Sequence, residues 1–291
     1  MVSALVTIRS GGWTAPALAD SADAVTALER GDLLFLPDLA FPIESDAARL
    51  FSPQILSSSK NASFDPVSGR VGGTMLTGDD LQRLRRLMTR FSDLTAKLVH
   101  QLLPRYRGRL APARSSFRPA EIAGRATSWR KDDTRLHIDS FPASPVQGRR
   151  ILRVFTNVNP TGRPRSWRIG EDFEALAERF APALSFPLPG SATLWRMLRL
   201  TRSRRSAYDA LMLGLHDHMK NDATYQQTVP QTAVDFPAGT TWIGFTDQVS
   251  HAAMAGQYQL EQTFLLPIDA MVDESRSPLR VLERVKGRRL A

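Results

Sequence analysis

The chain has 291 residues, 42% of them hydrophobic and 23% charged, the proportions of a globular protein with room for one large domain or two small ones. Its 38 Lys and Arg against 29 Asp and Glu give a formal charge of +9, which favours an anionic partner: nucleic acid, a phosphate-bearing molecule or an acidic membrane surface. With no cysteine, disulfides, thiolate metal sites and cysteine nucleophiles are excluded.

In the opening stretch, MVSALVTIRSGGWTAPALAD, the apolar part is short, Arg9 and two glycines break it and no basic residue precedes it, so a signal peptide is not expected. The longest apolar run, LLFLPDLAFPI, contains Asp38 and two prolines and is not expected to span a bilayer. DLLFLPDL at 32–39 predicts a strand. A Pro/Ser/Gly-rich loop follows from about Ser52 to Gly78, read as a surface connection with a mobile flap as the alternative. The clearest helix runs from Asp79 to Leu103, because Leu84, Leu87, Met88, Phe91, Leu98 and Leu102 recur at intervals of three and four and Pro104 ends the pattern.

From about residue 125 the pattern turns to short β-type segments separated by Gly and Pro: RLHIDSF, RRILRVFTNVN, SATLW, QTAVDFPAGTTWIGF and QYQLEQTFLL. Between them a helical insertion from Trp195 to Lys220 carries a stripe of Tyr208, Leu211, Met212, Leu215 and Met219, expected to be core packing. No repeat or second domain is visible. The predicted fold is α+β, a single domain over 1–291 with a double-stranded β-helix (jelly-roll, cupin- or JmjC-like) core and flanking helices. Its parts are a helical and extended region at 1–124, the β-core at 125–268 with the insertion at 195–220, and a basic tail at 269–291.

The chemistry starts in RLHIDSFP, residues 135–142. Leu136, Ile138 and Phe141 read as an apolar strand face, and since a strand sends residues i and i+2 to one side, His137 and Asp139 face one direction. That is two legs of a 2-His-1-carboxylate site for a non-haem ferrous ion, and equally the mark of a salt-bridged surface pair. The other histidines sort by geometry. His100 lies off its helix's apolar stripe, and His216 and His218, in HDH on a helix, point in nearly opposite directions and are expected at the surface. That leaves His251, between the strands TTWIGF and QYQLEQTFLL, with Ala252 and Ala253 leaving room beside it. A His-x-Asp on an early strand and a lone His on a late one is the layout of the double-stranded β-helix oxygenases, and it makes His137, Asp139 and His251 the expected catalytic metal ligands.

Such enzymes also need a basic side chain for the distal carboxylate of α-ketoglutarate. Arg153 alternates with Ile151 and Phe155 on one strand face, where an arginine is costly unless an acid meets it, and a guanidinium pairs a carboxylate in bidentate fashion. A structural salt bridge is the other reading of Arg153. Many barrel oxygenases place the anchoring arginine about ten residues after the distal histidine, where this chain has Glu261. A carboxylate there repels the cosubstrate unless it is paired, with Arg153 for example. Gln259, Glu261 and Thr263 fall on one strand face as the lining of a polar interior, with Thr263 as a further cosubstrate contact.

Two blocks, LHIDSFPASPVQGRRILRVFTNVNP and FPAGTTWIGFTDQVSHAAMAGQYQLEQTF, resemble the Kdo hydroxylases, ferrous and α-ketoglutarate-dependent dioxygenases of Gram-negative bacteria that act on 3-deoxy-D-manno-octulosonic acid (Kdo). The likeness runs from about residue 30 to 268 and is loose outside those blocks. It implies hydroxylation of carbon 3 of the outer Kdo of lipopolysaccharide, on a Kdo-bearing lipid A acceptor, with Fe(II), α-ketoglutarate and O2. The family's metal triad maps onto His137, Asp139 and His251. A cytoplasmic location, with at most peripheral contact with the inner-membrane surface, follows from that substrate.

Kdo carries a carboxylate and lipid A carries phosphates, so the basic stretches RYRGRLAPARSSFR, RMLRLTRSRR and Arg276 to Arg289 acquire a use, or are solvated charged faces. The last has six basic residues against one acidic and a weak amphipathic pattern suited to an anionic membrane face. Trp129, Arg130 and Lys131, in SWRKDD, are placed at the mouth of the barrel to meet sugar and carboxylate. Rival readings are a barrel oxygenase for another polar substrate and a non-enzymatic polyanion-binding protein. Nucleic acid is not expected as a partner, since the aromatics do not interleave with the arginines.

Overall fold

The computed structural model describes residues 3–14, 21–57, 60–187 and 190–291. Its strands are β1 (Leu5–Thr7), β2 (Leu33–Leu36), β3 (Ala62–Asp65), β4 (Arg70–Gly72), β5 (Ala111–Arg118), β6 (Arg150–Asn157), β7 (Arg165–Ile169), β8 (Thr232–Phe236), β9 (Thr241–Phe245), β10 (His251–Ala255) and β11 (Gln259–Leu266). The helices are α1 (Ser21–Arg30), α2 (Gly78–Leu102), α3 (Phe173–Phe180), α4 (Ser191–Met197), α5 (Ala207–Asn221), α6 (Ala223–Thr228) and α7 (Pro278–Lys286). An eight-stranded sheet runs β1-β2-β9-β6-β11-β5-β3-β4, antiparallel except for β1 with β2, and faces a three-stranded antiparallel sheet, β10-β7-β8. Two facing sheets with flanking helices make the expected α+β jelly roll.

The strand β6 shows why the sheets separate the molecule into layers. All eight of its residues are buried, and alternation sends Leu152 and Val154 to one face and Ile151, Arg153 and Phe155 to the other. The first face packs with α1 and α2 in the largest apolar cluster, where Leu84, Leu87, Met88, Phe91, Leu98 and Leu102 line up as their spacing predicts. Between the sheets Phe155, Trp167, Phe236 and Trp242 form a second cluster, with the rings of Phe236 and Trp242 stacked at 4.0 Å. A third joins Leu136 and Ile138 to α3, α5 and α7 and takes in the whole predicted stripe of α5.

Four expectations are corrected. The segment SATLW, rich in β-formers, belongs to α4 and not to a strand. RLHIDSF is not a ladder strand: His137 and His251 form an isolated bridge, and Leu136 gives its N–H to, and takes a bond at its C=O from, the side chain of Gln226, which occupies the place of a neighbouring strand. The 52–78 segment is neither plain loop nor flap over its described length, since β3 and β4 form a hairpin that continues the large sheet beside β5; Ser58 and Ser59 lie outside the described residues. The basic tail is not a free amphipathic face either. In α7 the side chains of Leu279, Val281 and Leu282 are buried in the third cluster, while Arg280 and Arg284 pair with Glu283 and Glu174. Strands β1 to β5, from the N-terminal region, add directly onto the strands of the β-core.

Candidate metal centre

His137, Asp139 and His251 converge. One ligand atom from each lies within 4.8 Å of the others, and no other cluster of this kind occurs among the described residues. The backbone sets the pairing. His137 N–H donates to His251 C=O and His251 N–H to His137 C=O, both at 2.9 Å, while Asp139 N–H donates to Thr246 C=O at 2.7 Å. The i, i+2 relation therefore survives although the segment is not a strand, because one bridge and one further bond hold it extended.

Each imidazole is then oriented by its own chain. Nδ1 of His137 lies 2.7 Å from Arg135 C=O, and Nδ1 of His251 lies 2.8 Å from Val249 C=O. A carbonyl can only accept, so each Nδ1 carries the proton and each Nε2 keeps its lone pair for the cavity. Burial first, and for His137 the neighbouring His251 and Lys220 next, lowers both histidine pKa values, so both rings are neutral at neutral pH. Trp167 stacks on His251 at 5.0 Å and fixes its plane. Burial opposes the charge of Asp139, but Arg153, whose Nη1 donates to Oδ2 at 2.7 Å, holds its carboxyl well below the usual carboxylate range. Two neutral imidazoles with free Nε2 atoms and one ionised carboxylate fit a divalent iron with open positions.

The triad lies in a cavity of about 360 Å³ between the sheets. Seven cationic side chains line it against three carboxylates, Asp133, Asp139 and Glu261. Glu261, the residue at the place where an arginine is usual, is fully engaged: Arg118 donates to both its oxygens at 2.9 Å and Arg153 Nη2 donates at 2.6 Å. Its repulsion of an incoming anion is thereby cancelled. Lys60 donates to both oxygens of Asp133 at 2.7 Å.

Arg165 is different. It is 2% exposed, its Nη1 donates to Gly256 C=O at 2.6 Å, and its Nε has no partner among the described residues. Burial, followed by the charge of Arg118, pushes its pKa down to about 9. Gly256 has φ of 107°, and a Cβ there would lie 2.8 Å from Pro164 C=O, so only glycine can offer that carbonyl so close to the start of β7. Lys220, also 2% exposed, donates to Arg130 C=O at 3.1 Å, and among the described residues neither Arg165 nor Lys220 has a carboxylate in salt-bridge reach.

Of the other expected residues, Arg153 lies in the cavity with both Nη atoms on carboxylates and Nε unpartnered. Arg130 and Lys131 line the rim, Arg130 bonded to Asp217 and lying 4.1 Å over the ring of Trp129, which itself does not reach the lining. Ala253 lines the cavity and Ala252 points into the helical cluster. Thr263 is not in the triad's cavity. Cross-strand partner of Arg153, it sits two pairs further along β11 than Glu261 and lines an adjoining cleft of about 590 Å³ with Arg114, Arg149 and Arg202. The two spaces share Phe141, Pro142, Arg118, Arg153 and Glu261.

The placement of His216 at the surface is corrected too. It lines the cavity, its ring edge-on to His137 at 5.5 Å, while His218 is exposed as expected. The argument against shared chelation by HDH holds, but α5 lies along the site and one of its histidines turns inward. Arg118 and Arg165 were missed because their signal is only alternation, Ser116 with Arg118 and Arg165 with Trp167 and Ile169, which any half-buried strand shows.

A family profile for 3-deoxy-D-manno-oct-2-ulosonic acid (Kdo) hydroxylase matches residues 13–289. A crystal structure of the Kdo hydroxylase KdoO, a non-haem Fe(II) α-ketoglutarate-dependent dioxygenase, in complex with cobalt(II) superposes with a TM-score of 0.96 at 46% identity, covering 98% of this chain and 97% of that one. KdoO with α-ketoglutarate and Fe(III) matches with a TM-score of 0.96 at 45% identity over 99% and 98% of the two chains. KdoO with succinate and Fe(III) matches with a TM-score of 0.95 at 45% identity over 98% and 97%. No curated protein matches the chain.

Proposed function

The chain belongs to the Kdo hydroxylase family, and from that premise we propose that it hydroxylates carbon 3 of the outer Kdo of a Kdo-bearing lipid A, using Fe(II), α-ketoglutarate and O2. The observation that carries this reading is the convergence of His137, Asp139 and His251, with both Nδ1 atoms spent on backbone carbonyls, inside a cavity whose cations outnumber its carboxylates. We assign those three residues to the metal. The whole of 1–291 acts as one dioxygenase domain.

An iron held by His137, Asp139 and His251 would supply oxidative hydroxylation, one atom of O2 entering the sugar's C–H bond and the other going to succinate as the keto acid loses carbon dioxide. The protein's own part is position, charge and dryness. Arg165, buried without a carboxylate, is the residue we assign to the distal carboxylate of α-ketoglutarate, with Arg153 as the second cation through its unpartnered Nε. Through its bond to Oδ2, Arg153 also fixes the orientation of Asp139. Trp167 and Phe155 close the inner wall against water, and Arg130 and Lys131 at the rim meet the sugar acid. Thr263, in the adjoining cleft, is on the path to the acceptor's remaining groups and not beside the metal.

Among the described residues no helix is long and apolar enough to cross a membrane. We place the enzyme at the cytoplasmic face of the inner membrane, in peripheral contact. The test is direct: with ferrous iron, α-ketoglutarate and Kdo-bearing lipid A, the protein releases succinate in step with an acceptor that gains one oxygen atom by mass spectrometry. Absence of cosubstrate turnover with any Kdo-bearing acceptor overturns the assignment.

A further inference from the structure

The stretch from Ser185 to Tyr208 has properties that neither the metal centre nor the core uses. No acidic residue occurs between Glu178 and Asp209, while Arg196, Arg199, Arg202, Arg204 and Arg205 all lie there. Large apolar side chains alternate with them and stand in solvent: Trp195 is 40% exposed, Met197 75%, Leu198 60% and Leu200 59%. Scattered single apolar residues at a surface need no explanation, but four within six positions form a patch. Arg196, Arg199, Arg202 and Arg204 have no carboxylate in salt-bridge reach among the described residues, unlike the paired arginines of α7. Phe186, nine positions before Trp195, is 37% exposed as well, and Arg288 lies over its ring at 4.2 Å.

This patch is tied to the path toward the metal. Arg202 N–H donates to Ala143 C=O at 3.0 Å and Arg205 Nη2 to Pro142 C=O at 2.7 Å, just beyond the chain segment that carries Asp139. Arg202 and Ser203 line the cleft that shares Arg118, Arg153 and Glu261 with the triad's cavity. An apolar surface studded with unpaired arginines fits the boundary of an anionic bilayer, where the side chains of Met, Leu and Trp enter the acyl region and the guanidiniums meet phosphates. We propose that residues 195–205 dock the enzyme on an anionic lipid surface, with the Arg114, Arg149 and Arg202 cleft held at headgroup level as the entry for a membrane-embedded acceptor. Delivery of that acceptor rests on the function proposed above; the docking does not.

The experiment uses the full chain and vesicles of phosphatidylcholine alone or with about one third phosphatidylglycerol. Wild-type protein cosediments with the mixed vesicles, less so at high salt, and its tryptophan emission shifts to the blue. Met197→Ser/Leu198→Ser/Leu200→Ser and, separately, Arg196→Glu/Arg199→Glu each weaken binding by at least about tenfold. These side chains are exposed, and an unchanged unfolding midpoint confirms that the variants fold. Turnover of a soluble, deacylated Kdo acceptor stays at the wild-type rate in the triple variant, while turnover of the vesicle-embedded one falls. Wild-type protein that stays in the supernatant, or a triple variant that binds as the wild type does, overturns the proposal. So does a wild-type dimer that the triple variant dissociates without any vesicle binding, which assigns the patch to a second copy of the chain. A protein that binds vesicles but turns over no acceptor leaves docking standing and removes the oxygenase reading instead.

Discussion

Strand β6 carries two buried arginines three positions apart, on opposite faces, and their surroundings differ in kind. Every nitrogen of Arg150 has a partner: Nε and Nη2 bond Asp247, Nη2 also bonds Gln248 Oε1 at 2.6 Å, Nη1 reaches Met271 Sδ at 3.4 Å, and the plane lies 3.9 Å over Phe245. On the other face the Nε of Arg153 has no partner among the described residues, nor has that of Arg165 across the gap between the sheets. A buried donor left unmatched costs about 1–3 kcal/mol, and here it belongs to a cation that lines the triad's cavity. The closed network is complete without a ligand, whereas the open one leaves donors free for the cosubstrate carboxylate proposed above.

Substitutions that act on one face and spare the other test this contrast. The largest effect is expected from His137→Ala or His251→Ala, which abolish succinate release while the protein still unfolds as a folded chain does in urea. Next comes Arg150→Met, which leaves Asp247 buried without its counter-charge and lowers stability by about 3–5 kcal/mol in urea titration. The double change Arg150→Met/Asp247→Leu recovers most of that loss, and activity per folded molecule is unaltered in both.

Arg165→Met has the reverse signature. Loss of a charge-assisted contact worth about 1.5–3 kcal/mol raises the KM for α-ketoglutarate roughly 10- to 100-fold with little change in kcat. Stability holds or rises, because a buried unmatched cation is removed. If Arg165→Met instead melts the protein and leaves KM unchanged, the two faces are alike and the contrast fails. Arg153→Met, which frees Asp139, weakens metal affinity by about 10- to 100-fold in a competition titration. The smallest effect is Arg284→Ala: its pair with Glu174 is about half exposed on both sides, and the change in stability stays below about 1 kcal/mol.

The convergence of His137, Asp139 and His251 was legible in part by local rules, since i, i+2 residues of an extended segment share a side and a helix separates HDH, while His251 was reached by elimination and by the layout of the double-stranded β-helix oxygenases. The core of α2 and the stripe of α5 were legible by local rules too. What was hidden depends on contacts between distant segments. Thr193 and Trp195 favour strand, but the segment folds as helix at the surface, where the β-preference of single residues has no sheet to join. RLHIDSF lacks its ladder because one glutamine side chain, Gln226, takes the place of a strand. The membrane-facing reading of the tail failed because α3 and α5 cover its apolar side, something composition cannot reveal, while RMLRLTRSRR keeps the exposed apolar side chains that the tail lacks.

The reciprocal backbone bridge between His137 and His251 has one more effect. These residues are far apart along the chain, and bringing them together is an entropic penalty that any cross-link between them would relieve. Here two backbone hydrogen bonds between the residues themselves have already closed that ring before an ion arrives. Chelation therefore finds its donors waiting, and stripping the ion with a chelator silences the enzyme without unravelling it, so that activity returns as soon as iron is restored.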